Sequence, residues 1–214
     1  MTHALPLTKL EDRSTRAHEV RVARLSRAIA RRLGMSAAEI AMIGRAALVH
    51  DIGKIAVPNA LLAKGMSLLD QEWELMERHV SAGFDLLSQS GAPIKVALIA
   101  LQHHERLDGS GYPNHLQGDT VPLESRIVAV ADIFDALTSA RPYKPAWPED
   151  RVFAELRREE RLRLIDTLVR GPLPWQGDEG DRKAEVTGGG VALGRRGPSP
   201  PRDRSDRSAA APPR

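Results

Sequence analysis

Apolar positions recur along the first 170 residues at spacings of three, four and seven, the signature of helices that each bury one face. Val22, Leu25, Ile29 and Leu33 predict a helix over about 14–33, and His18 extends the same stripe by one turn. A second helix is expected from Ser36, because Glu39 stands three residues on and the pair reads as a capping box. It carries Ile40, Ile43 and Ala47 on one face, continued by His50, and Gly53 and Pro58 are read as its terminators. Trp73, Met76, Val80 and Leu87 predict a third helix over about 67–87, with His79 beside that face. A fourth starts near Pro93 and runs through Val96, Ala97, Ile99 and Ala100 to His103 and His104. After a loop over 105–122, a fifth helix is expected over about 124–139, holding Asp132 and Asp135, and a sixth from Pro148 to about 169.

The pattern stops at Gly171. Residues 171–214 hold seven of the fifteen prolines and eight of the seventeen glycines, with arginine, aspartate and serine filling much of the rest. Such a segment buries too little apolar surface to offset its ordering entropy and is expected to be a disordered tail. The expected organisation is a lead-in over 1–11, a helical domain over 12–170 and the tail.

Composition narrows the class. Aromatics make up only 4% of the 214 residues, so the core must be aliphatic, which favours an all-α fold over an all-β one. With no cysteine, disulfides and thiolate metal sites are excluded, and any metal must take nitrogen and oxygen ligands. The N-terminus lacks the apolar run of a signal peptide, and no stretch approaches the ~20 residues of a membrane span. No membrane role is expected, and the cytoplasm is the default location. A net charge of +3 suits an anionic substrate but is too weak to argue for nucleic-acid binding.

The histidines carry the chemistry. Of seven, five (His18, His50, His79, His103 and His104) fall on or beside apolar helix faces, mostly near C-terminal ends, and Asp51 and Asp132 have similar positions. One such histidine is ordinarily a hydrogen-bonded core residue. Five on four helices, with HD and HH doublets among them, would be costly to bury without partners. A shared metal centre gives each lone pair a partner. Mixed histidine and carboxylate ligands suit Fe, Mn or Zn rather than Ca or Mg. The carboxylate of an aspartate beside a histidine can bridge two ions. Two adjacent ions can hold a hydroxide between them and clamp the oxygens of a phosphoester, so the chemistry implied is phosphate-ester hydrolysis.

HDIGK (50–54) and HHERLDGSGYP (103–113) together resemble the HD-GYP family, a branch of the HD phosphohydrolase superfamily. DRSTRAHEVRV (12–22), LLAKGMSLLDQEWELMERHVSAG (61–83) and RIVAVADIFDALTSARPYK (126–144) extend the likeness over about 12–157. The resemblance implies a compact all-α HD-domain bundle and a metal-dependent phosphodiesterase acting on cyclic di-GMP. It implies His18, His50, Asp51, His79, His103, His104 and Asp132 as ligands of two divalent ions, Fe or Mn, with Asp51 bridging and catalytic. Lys54 is implied beside the ions, neutralising phosphate. Arg141 and Lys144 match positions that contact ligand phosphates or guanine, and a surface basic pair is an equal reading of them. Tyr112 is expected to pack on a base or to shape the loop. The glycines of the loop are expected to supply positive φ, and Asp108 to act structurally.

Three departures from the family pattern bear on function. Members with a third ion use a glutamate four residues before the first histidine, where this chain has Ser14, a poor ligand. Two ions, and linear pGpG as the main product, are therefore expected. After VFAELRRE the family's glycine and Asp-Pro pair are absent, so the last helix is expected to be altered. Relatives also carry a receiver or sensor domain ahead of this one. Control is then expected from a partner (a receiver, a sensor or a diguanylate cyclase), from expression, or not at all. Two alternatives stand beside the enzyme reading: a non-catalytic module that binds cyclic di-GMP or a partner, and a phosphohydrolase acting on another nucleotide.

Overall fold

The computed structural model describes residues 13–64, 68–140 and 145–161. Seven α-helices lie among them: α1 (Arg13–Arg32), α2 (Ala37–Val49), the single turn α3 (Asn59–Leu62), α4 (Asp70–Gln89), α5 (Ile94–Gln102), α6 (Leu123–Thr138) and α7 (Glu149–Arg161). Two 3₁₀ turns, Ile52–Ala56 and Gly118–Thr120, complete the framework. The described residues hold no strand, only an isolated bridge between Asp108 and Gln117, as an all-α chain requires. None of the described helices is long and apolar enough to cross a membrane. The expected tail, the lead-in, the helix beyond 161, Arg141 and Lys144 lie outside the described residues, as does the side chain of Ser14.

The core is aliphatic, as the scarcity of aromatics requires. Val22, Ile43, Ile127 and Leu156 are among its fully buried side chains. α1 packs on α2 and α6, α5 sits against α2, α4 and α6, and α7 closes over α6. The capping box at Ser36 is present. Glu39 N–H donates to Ser36 Oγ at 3.3 Å, and Ser36 N–H donates to the Glu39 carboxylate at 2.8 Å.

Two readings of the apolar pattern need correction. Trp73, expected to be buried, is 39% exposed, and Leu33 is 43% exposed. α4 has twenty residues and its neighbour α5 only nine, so at ~1.5 Å per residue α5 can cover about half of α4. The short connection between them turns the chain back and places that half at the C-terminal end of α4, beyond Trp73. Leu33 follows the last helical residue of α1, where the turn to α2 faces solvent.

Gly53 does not terminate α2, which ends at Val49. His50 is its C-cap, and Asp51 adopts φ −97°, ψ 7°, in the sparsely populated bridge region where many active-site residues lie. This kink swings the chain into the 3₁₀ turn, which lies against α4. The HD doublet is thereby held at a corner between α2 and α4.

Candidate metal centre

The corner brings together side chains from five parts of the chain. His18 comes from α1, His50 and Asp51 from the end of α2, His79 from α4, His103 and His104 from the end of α5, and Asp132 from α6. Asp51 stands at the centre, with its two carboxylate oxygens facing different groups. Oδ1 lies 3.4 Å from His79 Nε2 and 3.8 Å from His103 Nε2. Oδ2 lies 3.5 Å from His50 Nε2 and 3.9 Å from His18 Nε2. Asp132 Oδ1 joins the second side, 3.3 Å from His18 Nε2 and 3.9 Å from His50 Nε2. Two donor groups result: Asp51 with His79, His103 and His104, and Asp51 with His18 and His50.

Local structure aims each ring. The Nδ1 atoms of His50, His79 and His103 contact the carbonyls of Ala47, Met76 and Ala100, three residues earlier, at 2.7, 2.7 and 2.9 Å. A carbonyl only accepts, so each Nδ1 carries the proton and each Nε2 presents a lone pair inward. Burial lowers the pKa of His79. Burial, then the neighbouring imidazoles, hold His103 and His104 well below the usual histidine range, so these rings are neutral donors. Burial alone would raise Asp51, but Lys54 and the surrounding imidazoles, His50 foremost, hold it well below the usual carboxylate range. Asp132 is held at about 2, because contacts with His18 and His50 outweigh its burial.

Four buried atoms of this cluster have no hydrogen-bond partner among the described residues: Nε2 of His50, His79 and His103, and Oδ1 of Asp51. A buried unsatisfied polar atom costs about 1–3 kcal/mol, and four gathered around Asp51 indicate that partners belong there. All four are lone-pair donors of the kind that bind transition metals, so the residues present fit divalent ions.

Lys54, on the 3₁₀ turn, places Nζ against Asp51 Oδ2. Tyr112 stacks on His104, with ring centroids 4.8 Å apart and planes 30° apart, and stands edge-on to His79. It therefore lies against the cluster on the His104 side, joined to its neighbour by a cis Tyr112–Pro113 peptide. Gly109 has φ +86°, as expected of a loop glycine, but Gly111 is needed for close approach instead. A Cβ there would lie 2.3 Å from the Arg106 amide nitrogen and 2.5 Å from the His104 carbonyl oxygen. Asp108 is exposed and accepts from the backbone and hydroxyl of Ser110 at 2.9 and 2.7 Å, a turn-forming role.

Three residues were not foreseen. Asp135, one turn after Asp132, accepts from His18 Nδ1 at 2.7 Å rather than facing the donor groups. Arg21 forks onto Asp135. Glu105, buried directly after the histidine pair, accepts from the backbone amides of Asn114 and Leu116 at 2.7 and 2.9 Å. A charged residue next to the HH doublet, and a second aspartate on the Asp132 face, were the available signals.

A family model described as HD domain matches residues 5–169. The chain is 49% identical over 166 residues to the cyclic di-GMP phosphodiesterase response regulator RpfG of Xanthomonas campestris, covering 75% of this chain and 44% of that protein. It is 46% identical over 152 residues to a cyclic di-GMP phosphodiesterase of Thermotoga maritima, covering 70% and 41%. It is 43% identical over 159 residues to 3'3'-cGAMP-specific phosphodiesterase 2 of Vibrio cholerae, covering 73% and 30%. The chain thus spans less than half the length of each. Among solved structures, the cyclic GMP-AMP-specific phosphodiesterase V-cGAP3 of V. cholerae superposes with a TM-score of 0.58 at 19% identity, covering 79% of this chain and 46% of that one. The HD domain of the phosphodiesterase PgpH of L. monocytogenes gives 0.54 at 17% identity, covering 79% and 95%. At these identities the two structures speak for the fold alone.

Proposed function

Because the chain belongs to the HD-domain family, we propose that it is a metal-dependent phosphodiesterase that hydrolyses cyclic di-GMP to linear pGpG. The observation that carries the reading is the division of Asp51: one buried carboxylate, with one oxygen toward His79 and His103 and the other toward His18 and His50. Two divalent ions, Fe or Mn, would be held by His18, His50, Asp51 and Asp132 on one side and by Asp51, His79, His103 and His104 on the other. Bound there, such ions supply Lewis-acid polarisation of the phosphoryl oxygens and an acidified water.

The protein's own residues do the rest. Asp51 is the shared, charged centre that keeps both donor groups in register. Lys54 neutralises Asp51 Oδ2 and is assigned to meet a phosphate oxygen. Tyr112 closes the wall beside His104 with an aromatic face suited to a nucleobase. Arg141 and Lys144 are assigned to the phosphates or guanine on the strength of their match to the ARPYK motif. Linear pGpG as product rests on Ser14, which has no carboxylate for a third ion. With an anionic bacterial messenger as substrate, the protein is assigned to the cytoplasm, and a receiver, sensor or diguanylate cyclase is proposed as its regulating partner.

A second substrate, 3'3'-cGAMP, is favoured by the 43% identity to the Vibrio cholerae enzyme. The test is hydrolysis of cyclic di-GMP and of 3'3'-cGAMP by protein loaded anaerobically with Fe(II) or Mn(II), with Asp51→Asn alongside. Turnover of cyclic di-GMP to pGpG in the wild type alone is expected. Faster turnover of 3'3'-cGAMP would transfer the assignment to that substrate. No turnover of either, with metal bound and a helical spectrum intact, would turn the reading to a non-catalytic module. An active Asp51→Asn protein would refute the bridging role.

A further inference from the structure

Three of the inward-facing histidines take their Nδ1 partner from the backbone, three residues earlier. His18 does not. Its Nδ1 lies 2.7 Å from Asp135 Oδ2, a side chain 117 residues away on α6. Asp135 is 2% exposed and is itself clamped. Arg21 Nε donates to its Oδ1 at 2.5 Å and Arg21 Nη2 to its Oδ2 at 3.0 Å, the paired fork that fixes a carboxylate in plane. The same Nη2 donates to Ser139 Oγ at 3.0 Å, and the Ser139 amide donates to the Asp135 carbonyl at 2.9 Å. Arg21 stands one turn after His18 on α1, and Asp135 one turn after Asp132 on α6. The two pairs are successive rungs between these helices. One rung faces the donor cluster and the other sits behind it.

We propose that Asp135, clamped by Arg21, is the positioning residue for one ion of the two, that on the His18–His50 side. This rests on the two-ion reading above. By holding the Nδ1 proton, Asp135 reserves Nε2, which faces Asp132 and Asp51, as the ligating atom once its own proton is displaced. It also sets the ring plane and makes the imidazole a stronger donor, as a carboxylate behind a ligating histidine does. Among the described residues, the His79 and His103 rings are held instead by the main-chain carbonyls of Met76 and Ala100, which no substitution removes. The two halves of the centre therefore differ in how they are supported, and only one depends on this side-chain pair.

The experiment counts ions. Wild type, Asp135→Ala, Asp135→Asn and Arg21→Ala would be titrated with Mn(II), with bound metal measured by elemental analysis and the electron paramagnetic resonance spectrum recorded. Wild type is expected to take up two ions with an exchange-coupled spectrum. Asp135→Ala is expected to keep one tight ion, show an uncoupled spectrum and bind the second about 10–100-fold more weakly. Asp135→Asn, which keeps an acceptor for Nδ1, is expected to recover part of that loss, a rescue that a merely structural role would not produce. Arg21→Ala, at a partly exposed side chain, carries the test should Asp135→Ala fail to fold, and a weakened second ion is expected there too. Two ions bound with unchanged affinity in the Asp135 variants, or in Arg21→Ala where it stands in for them, would overturn the assignment. So would equal weakening of both ions. A wild type that binds a single ion would overturn the two-ion reading itself, and this proposal with it.

Discussion

The backbone of Gly53 runs directly against Gly83 of α4. A Cβ added to Gly53 would lie 2.4 Å from the Gly83 amide nitrogen and 1.9 Å from the His79 carbonyl oxygen, both main-chain atoms that cannot rotate away. A Cβ added to Gly83 would meet Gly53 at 3.3 Å, a much milder contact. The glycine of HDIGK is thus what lets Asp51 and His79 approach each other.

Gly53→Ala should therefore push the 3₁₀ turn off α4 and draw Asp51 away from His79. Overpacking of this kind costs about 1–3 kcal/mol or more, and metal uptake should fall with it. Gly83→Ala should cost clearly less. Thermal melts and metal content of the two variants check this, and equal losses would mean that the contact is not what constrains the turn.

Metal entry should expel a proton from His18. Burial lowers its pKa, but hydrogen bonds to Asp132 and Asp135 lift it to about 9, so the ring is charged at pH 7–8 without metal. His79, His103 and His104 have lowered values and contribute no proton there. Since a ligand must be deprotonated, affinity on the His18 side should rise about tenfold per pH unit and level off as pH passes about 9. Calorimetry at pH 8 in buffers of different ionisation enthalpy should find about one proton released per chain. Release of none would show that His18 is already neutral.

Glu105→Ala should loosen the loop that carries Tyr112. The substitution strips acceptors from the amides of Asn114 and Leu116, each loss costing about 1–3 kcal/mol where the donor stays buried. Because Tyr112 stacks on His104, KM for the cyclic dinucleotide should rise more than kcat falls. The checks are hydrogen exchange at 112–116 and the KM–kcat split. Unchanged exchange would show that the loop is held by other contacts.

Arg141→Ala should weaken substrate binding while leaving the metal content at the wild-type level. Binding of a fluorescent cyclic di-GMP analogue, with metal quantified in the same samples, separates the two. Loss of metal in this variant would contradict its assignment to the substrate.

The sequence alone marked out the main helices and the candidate donors, because both are written in local terms. The capping box at Ser36 needs only Glu39, and imidazoles along apolar stripes stand out wherever the stripe packs. The tertiary structure alone decided how the donors divide. Asp132 and Asp135 share one helix face, yet one turns toward the cluster while the other binds the back of His18. Helical spacing names the face a residue shares but not the distance to a group on another helix. Likewise Gly53 looks like a helix terminator in sequence, and only the approach of α4 shows it to be a contact. Glu105 is a charged residue in a string until the loop folds back and brings two amides to its carboxylate. The first two relations join residues far apart in the chain and arise from how whole helices pack, and the third from a loop folding back on itself, none of which periodicity along one segment encodes.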